Sequence, residues 1–163
     1  MKVVGKQNNS KLCFICGMEN EFGLKAPFYE MEDGSVVSLF KYREIHQSYP
    51  GRVHGGLITA MLDEIAGRAI WVSEPGTWGV TTDIKVKFRK VVPYDVNLKA
   101  IGKITKNTHR MFIGFSQILD ENNVVLAEAE ATFLKLPISK IASEGTHDDI
   151  NVYIEDNVKE INF

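Results

Sequence analysis

Between Gly56 and Val72, the residues Leu57, Ile58, Met61, Leu62, Ile65, Ala69 and Val72 recur at three- and four-residue steps with no internal proline. Past Pro75-Gly76 the apolar period falls to two. The first pattern predicts one long helix, stopped by Ser73 and Pro75-Gly76. It is apolar round most of its circumference, so it must be buried and not laid on a surface. The second pattern predicts strands: Ile84, Val86 and Phe88 alternate with Asp83, Lys85, Lys87 and Arg89, and Val96, Leu98, Ala100 and Ile104 alternate with polar neighbours. Two more strands, from about Arg110 to Leu119 and from Val124 to Leu136, flank the turn residues Asp120 to Asn123. Upstream, residues 25–32 and 35–43 flank Asp33-Gly34, a strong hairpin signal.

Hairpin, buried helix and four strands have one obvious packing solution, an α+β fold in which an antiparallel sheet curves around the helix. The chain's 163 residues fit one domain, long enough to bury a core without disulfides or a metal. Residues 1–12 are polar and aperiodic and are expected to form a flexible arm, with the domain at 13–137 and an acidic appendage at 138–163. From residue 144 on, six acids face one base, Lys159, which predicts a solvated tail, with a short strand at Asn151 to Ile154 as the alternative. The remaining body, eighteen bases against fifteen acids, is too weakly basic for general nucleic-acid binding but can hold a site for a small polyanion. No apolar run reaches the ~20 residues a bilayer demands, and no signal peptide opens the chain. With Cys13 and Cys16 as the only cysteines, a cytoplasmic location and no membrane partner are expected.

The run Tyr49-Pro50-Gly51-Arg52-Val53-His54-Gly55-Gly56 leads straight into the helix. Glycines at a helix start leave backbone N–H groups open where the helix dipole already favours negative charge, a place fit for an oxyanion. Asp63 and Glu64 then put two carboxylates into a helix that is otherwise buried, where charge is costly unless paired or used. Glu64 lies four residues before Arg68, the spacing of an ion pair; Asp63 has no such partner. At helical spacing Asp63 shares its face with Gly56, Thr59, Ala60, Ala66, Gly67 and Ile70, mostly small residues that leave room for a ligand. On these features alone, a carboxylate hydrogen-bonded to a loop in the core is as good an account of Asp63 as a catalytic group.

The run HGGLITAMLDEIAGRA resembles the signature of hot-dog thioesterases related to the phenylacetate-pathway and 4-hydroxybenzoyl-CoA thioesterases. The likeness extends over roughly residues 13 to 136, including the CFICG opening and the strand ending in KFRKVVP. In that family an acid nine positions after the histidine is catalytic, which is Asp63 here, acting as general base on water or as nucleophile. The resemblance further implies that the Gly55 N–H holds the thioester carbonyl oxygen, that Gly56 supports the tight turn, and that His54 orients the loop. Many relatives place an Asn or Gln six residues before the histidine, against the thioester or its water. Here Gln47 stands seven before His54, and Ser48 holds the sixth position.

Arg89 and Lys90 match the positions that resemble the family's nucleotide contacts, and cations there suit the phosphates of coenzyme A. The implied reaction is hydrolysis of a medium-chain or aryl acyl-CoA, with the acyl group beside Ala60, Ala66, Gly67 and Ile70 and no cofactor beyond the coenzyme A of the substrate. The family completes its site across a two-fold dimer, so a homodimer, or a tetramer of two such pairs, is implied. The competing reading is a non-catalytic acyl-CoA-binding or sensing protein, although a twelve-residue arm is too short for the DNA-binding helix-turn-helix such regulators carry. The dehydratase branch of the fold uses a histidine and an acid in a different pattern. Zinc is not expected, because a structural site wants four ligands and no second close Cys or His pair exists. A thioredoxin-like role for Cys13 and Cys16 wants a strand-to-helix context that Gly17 and the turn residues after it do not supply.

Overall fold

The helix is the centre of the structure because its apolar side has nowhere else to go. In the computed structural model, which describes residues 1–143 and 147–162, helix α1 runs Gly55–Arg68 and buries Ile58, Met61, Leu62, Ile65 and Ala66. The winding then tightens into a 3-10 turn at Ala69–Val72, where an α-helix was predicted to continue to Val72. Pro75, which offers no N–H and disfavours α conformation at Glu74, keeps the winding from continuing past Ser73.

The described residues form nine strands: β1 Val3–Lys6, β2 Tyr29–Met31, β3 Val36–Phe40, β4 Gln47–Tyr49, β5 Arg52–Val53, β6 Gly79–Phe88, β7 Leu98–Asn107, β8 Met111–Leu119 and β9 Val125–Lys135. Seven form one antiparallel sheet in the order β1-β2-β3-β7-β8-β9-β6, while β4 and β5 make a small ribbon just before α1. The predicted hairpin is β2–β3, with Gly34 at φ 80° in its turn. The sheet can press close to α1 because Gly102 and Gly114 face it. A Cβ on Gly102 would lie 2.3 Å from the Ile65 carbonyl oxygen, and one on Gly114 2.6 Å from that of Ala66. This is the hot-dog arrangement, a curved sheet with one long helix packed against it.

Both ends of the chain depart from expectation. The arm is ordered, since β1 pairs with β2 and Gln7 N–H donates to the Phe28 carbonyl at 2.9 Å. The tail returns along it, with Val3 N–H to Lys159 O at 2.8 Å, Ile161 N–H to Met1 O at 2.9 Å, and a bridge between Asn9 and Val152. Ile161 is buried against Tyr29, Met31 and Val37. Counting charge alone missed this, because apolar Ile161 and Val158 sit among the acids. Glu144 of the acidic run lies outside the described residues. No helix among the described residues is long and apolar enough to cross a membrane.

Candidate active site on the central helix

The loop that opens α1 is tied down before the helix begins. His46, buried, accepts the Arg43 N–H on Nδ1 at 3.0 Å, so its Nε2 donates to the Phe22 carbonyl at 2.7 Å. Its own carbonyl takes the His54 N–H at 2.9 Å. His54 then caps the helix: Nδ1 accepts the Gly56 N–H at 2.9 Å, and its carbonyl accepts those of Leu57 and Ile58 at 3.0 and 3.2 Å. A helix start has four unsatisfied N–H groups, and here three are taken. The fourth, on Gly55, bonds to no described residue. It borders a groove of about 470 Å³ whose lining includes Ser48, Tyr49, Arg52, Phe88, Arg89 and Lys90.

Two turns further on, Asp63 stands at the wall of a second cavity, of about 190 Å³. Thr81 on β6 donates its hydroxyl to Asp63 Oδ1 at 2.8 Å. Burial raises the Asp63 carboxyl above its ordinary value; the Thr81 bond works against that and the Glu64 charge adds to it. Glu64 makes the expected pair, accepting from Arg68 Nε at 2.8 Å. Of the small residues predicted to wall the acyl space, only Gly67 lines the cavity. Ala66 and Ile70 are fully buried with Phe112 and Phe133, and Ala60 packs on the main core. Elsewhere the wall combines the rings of Trp71, Trp78, Phe112 and Phe133 with the polar Glu64, Arg68 and Thr77. The two tryptophans meet edge to face at 4.9 Å and the two phenylalanines stack at 4.7 Å.

The structure thus separates the predicted residues into two groups. Gly55, Arg89 and Lys90 share the groove, whereas Asp63 and Gly67 share the cavity. Gly55 and Asp63 lie eight residues apart, about 12 Å along the helix axis. One carbonyl cannot reach both within a single chain. Arg89 Nη2 donates to Glu128 at 2.6 Å, with Lys87 at 3.8 Å from the same oxygen, so Lys90 is the less committed base of the groove. Gln47, exposed on β4, is not among the groove residues; its neighbour Ser48 is. The sequence reading missed Thr81, which nothing local marks because it is eighteen residues from Asp63, and His46, whose ring is held by the distant Phe22 carbonyl and packed edge-on by Phe14 and Tyr42.

No curated protein matches the sequence. The family described as the thioesterase superfamily matches residues 50–127, which contain every predicted site residue except Gln47. Among solved structures, a thioesterase superfamily protein superposes with a TM-score of 0.70 at 24% identity, over 76% of this chain and 63% of its own. The chain therefore spans less than two thirds of that relative's length. A hypothetical thioesterase from Streptococcus pneumoniae TIGR4, solved with coenzyme A, gives 0.62 at 22% identity over 69% of this chain and 86% of that one. Zebra fish thioesterase superfamily member 2 gives 0.62 at 22% identity, over 68% and 80% respectively. Likeness at these identities carries the fold. The chain has the hot-dog fold, and its residues 50–127 match the family described as the thioesterase superfamily.

Proposed function

We propose that this protein hydrolyses acyl-CoA thioesters to a free acid and coenzyme A, at a site built twice across a homodimer and needing no cofactor. One observation carries the proposal: α1 presents a single unbonded N–H, on Gly55, and a single half-buried carboxylate of raised pKa, on Asp63. They lie too far apart to act together in one chain. In a two-fold dimer the Gly55 of one copy meets the Asp63 of the other, and the pair becomes an oxyanion donor facing a base. The match of residues 50–127 to the thioesterase superfamily supports thioester hydrolysis in general. Coenzyme A as the carrier rests on the basic groove at Arg89 and Lys90 and on the coenzyme A in the Streptococcus structure.

In this mechanism the Gly55 N–H, sharpened by the helix dipole, stabilises charge on the thioester carbonyl oxygen as it develops. Asp63, oriented by Thr81, takes a proton from the attacking water. The collapsing intermediate expels the coenzyme A thiolate, and the acyl group leaves the aromatic cavity as the free acid. Rings that stack and meet edge to face favour an aryl or medium-chain acyl group over acetyl. The test compares kcat/KM for acetyl-, hexanoyl-, phenylacetyl- and palmitoyl-CoA in the native protein and in Gly67→Val, whose added Cβ meets the Phe133 ring at 3.1 Å. Phenylacetyl- or hexanoyl-CoA should lead, and the variant should flatten the ranking. Acetyl-CoA as best substrate would refute the acyl placement, and binding without turnover would return the protein to the acyl-CoA-binding class. A single turnover in heavy-oxygen water should label only the released acid; label in Asp63 would mean a nucleophile.

A further inference from the structure

Glu64, which lines the Asp63 cavity, also meets the turn that carries Cys13 and Cys16. Gly17 N–H donates to the Cys13 carbonyl at 2.8 Å, closing one helical turn that sets Cys13 and Cys16 side by side. The two sulfurs and a Glu64 carboxylate oxygen lie within 4.8 Å of one another. The backbone N–H groups of Ile15 and Cys16 point at Cys13 Sγ, at 3.3 and 3.5 Å. Cys16 is only 2% exposed, while Cys13 is half-buried between the exposed side chains of Leu12 and Phe14. One thiol is therefore reachable from solvent and the other is sheltered behind it. Arg68 bonds Glu64 Oε1 and leaves Oε2 turned toward Cys13, at 3.9 Å.

We propose that the Cys13–Cys16 turn is a thiol–disulfide exchange site for small organic disulfides, with Cys13 attacking and Cys16 resolving. Cys13 and Cys16 lie in a turn rather than at a strand-to-helix junction, and Glu64 of α1 supplies the neighbouring carboxylate. A hydrogen bond from the Cys16 thiol holds the Cys13 thiol down to about 7, helped by the backbone N–H groups and opposed by burial and by Glu64. That bond and burial push Cys16 the other way, upward, so it waits as a thiol. Cys13 thiolate attacks one sulfur of the disulfide; the sulfur–sulfur bond of the substrate breaks, and the first thiolate leaves and takes a proton from water. Cys16 gives its proton to Glu64 Oε2 and attacks Cys13 Sγ. The Cys13–Cys16 bond forms, the mixed disulfide breaks, and the second thiolate departs with the proton from Glu64. The dithiol loses two electrons and the substrate becomes two thiols.

The full chain, reduced and then freed of reductant, is placed in graded mixtures of reduced and oxidised glutathione, quenched in acid and weighed by intact mass spectrometry. The native protein should lose both thiols together and carry no glutathione. Cys16→Ser should trap one glutathione on Cys13, whereas Cys13→Ser, left with the sheltered Cys16, should trap none. Glu64→Gln should let the mixed disulfide accumulate by slowing the second step. Should a variant fail to fold, limiting iodoacetamide on the native protein must alkylate Cys13 before Cys16. Two free thiols at the most oxidising mixture, the reverse order of alkylation, or bound zinc that shields both sulfurs would overturn the proposal. None of these readouts depends on thioester turnover.

Discussion

Asp63 is where single-residue chemistry decides most. Its carboxyl is raised by burial, so between the ordinary value of 3.8 and the higher folded value the native chain holds a proton that the unfolded chain has lost. Stability from this group is thus complete below the ordinary value and is lost as pH rises through that window. Asp63→Asn should therefore unfold at higher denaturant than the native protein at neutral pH, with the difference vanishing in acid, while turnover disappears. Because the proposed base must be ionised, the acid limb of kcat/KM should also fall above 3.8. Thr81→Val removes the bond that opposes the shift and should move that limb further up. Glu64→Gln should spare most turnover and act on stability, by unpairing Arg68, which stacks 4.2 Å above the Phe28 ring. An acid limb that ignores Thr81→Val would mean another group is being titrated. The nine-residue interval from His54 made Asp63 legible in the sequence. Thr81 was not, because β6 reaches it only after the chain has turned back on itself.

Among elements, the contact between α1 and strands β7 and β8 sets the geometry. Gly102 and Gly114 bring the sheet against the helix backbone, and the obstacle to a Cβ is carbonyl oxygen rather than a side-chain tip that could swing away. Gly114→Ala should destabilise the fold by about 1–3 kcal/mol, the range of overpacking in a filled core, seen as a lower urea midpoint at unchanged slope. If the midpoint stays, the helix sits further from the sheet than 2.6 Å to Ala66 O implies. Helix and strands were readable because apolar periods of three to four and of two are local. The glycines' role was not, since which carbonyl faces them depends on how the sheet curves.

For the whole molecule, the ends and the groove matter most. Ile161 fastens the acidic tail under Tyr29, Met31 and Val37, so Ile161→Ala should cost about 2 kcal/mol, the low end for such truncations, because a terminal strap can partly settle into the gap. An unchanged urea midpoint would mean the tail adds nothing to the fold. Lys90→Ala should raise KM for acyl-CoA with little change in kcat, and Arg89→Ala should do less, because Glu128 already holds that guanidinium. Moderate salt should mimic the Lys90 change; a KM indifferent to both would put the coenzyme A phosphates elsewhere. The sequence by itself determined the helix, the hairpin before it, the four strands after it and the place of Asp63 nine residues past His54, since periodicity, turn signals and motif spacing are all short-range. Only the tertiary structure decided the rest. It set Gly55 and Asp63 on separate surfaces, walled the cavity with Trp71, Trp78, Phe112 and Phe133, and zipped the tail to the arm. Each of these joins residues far apart in the chain, and such contacts follow from how the sheet closes over the helix rather than from any local pattern.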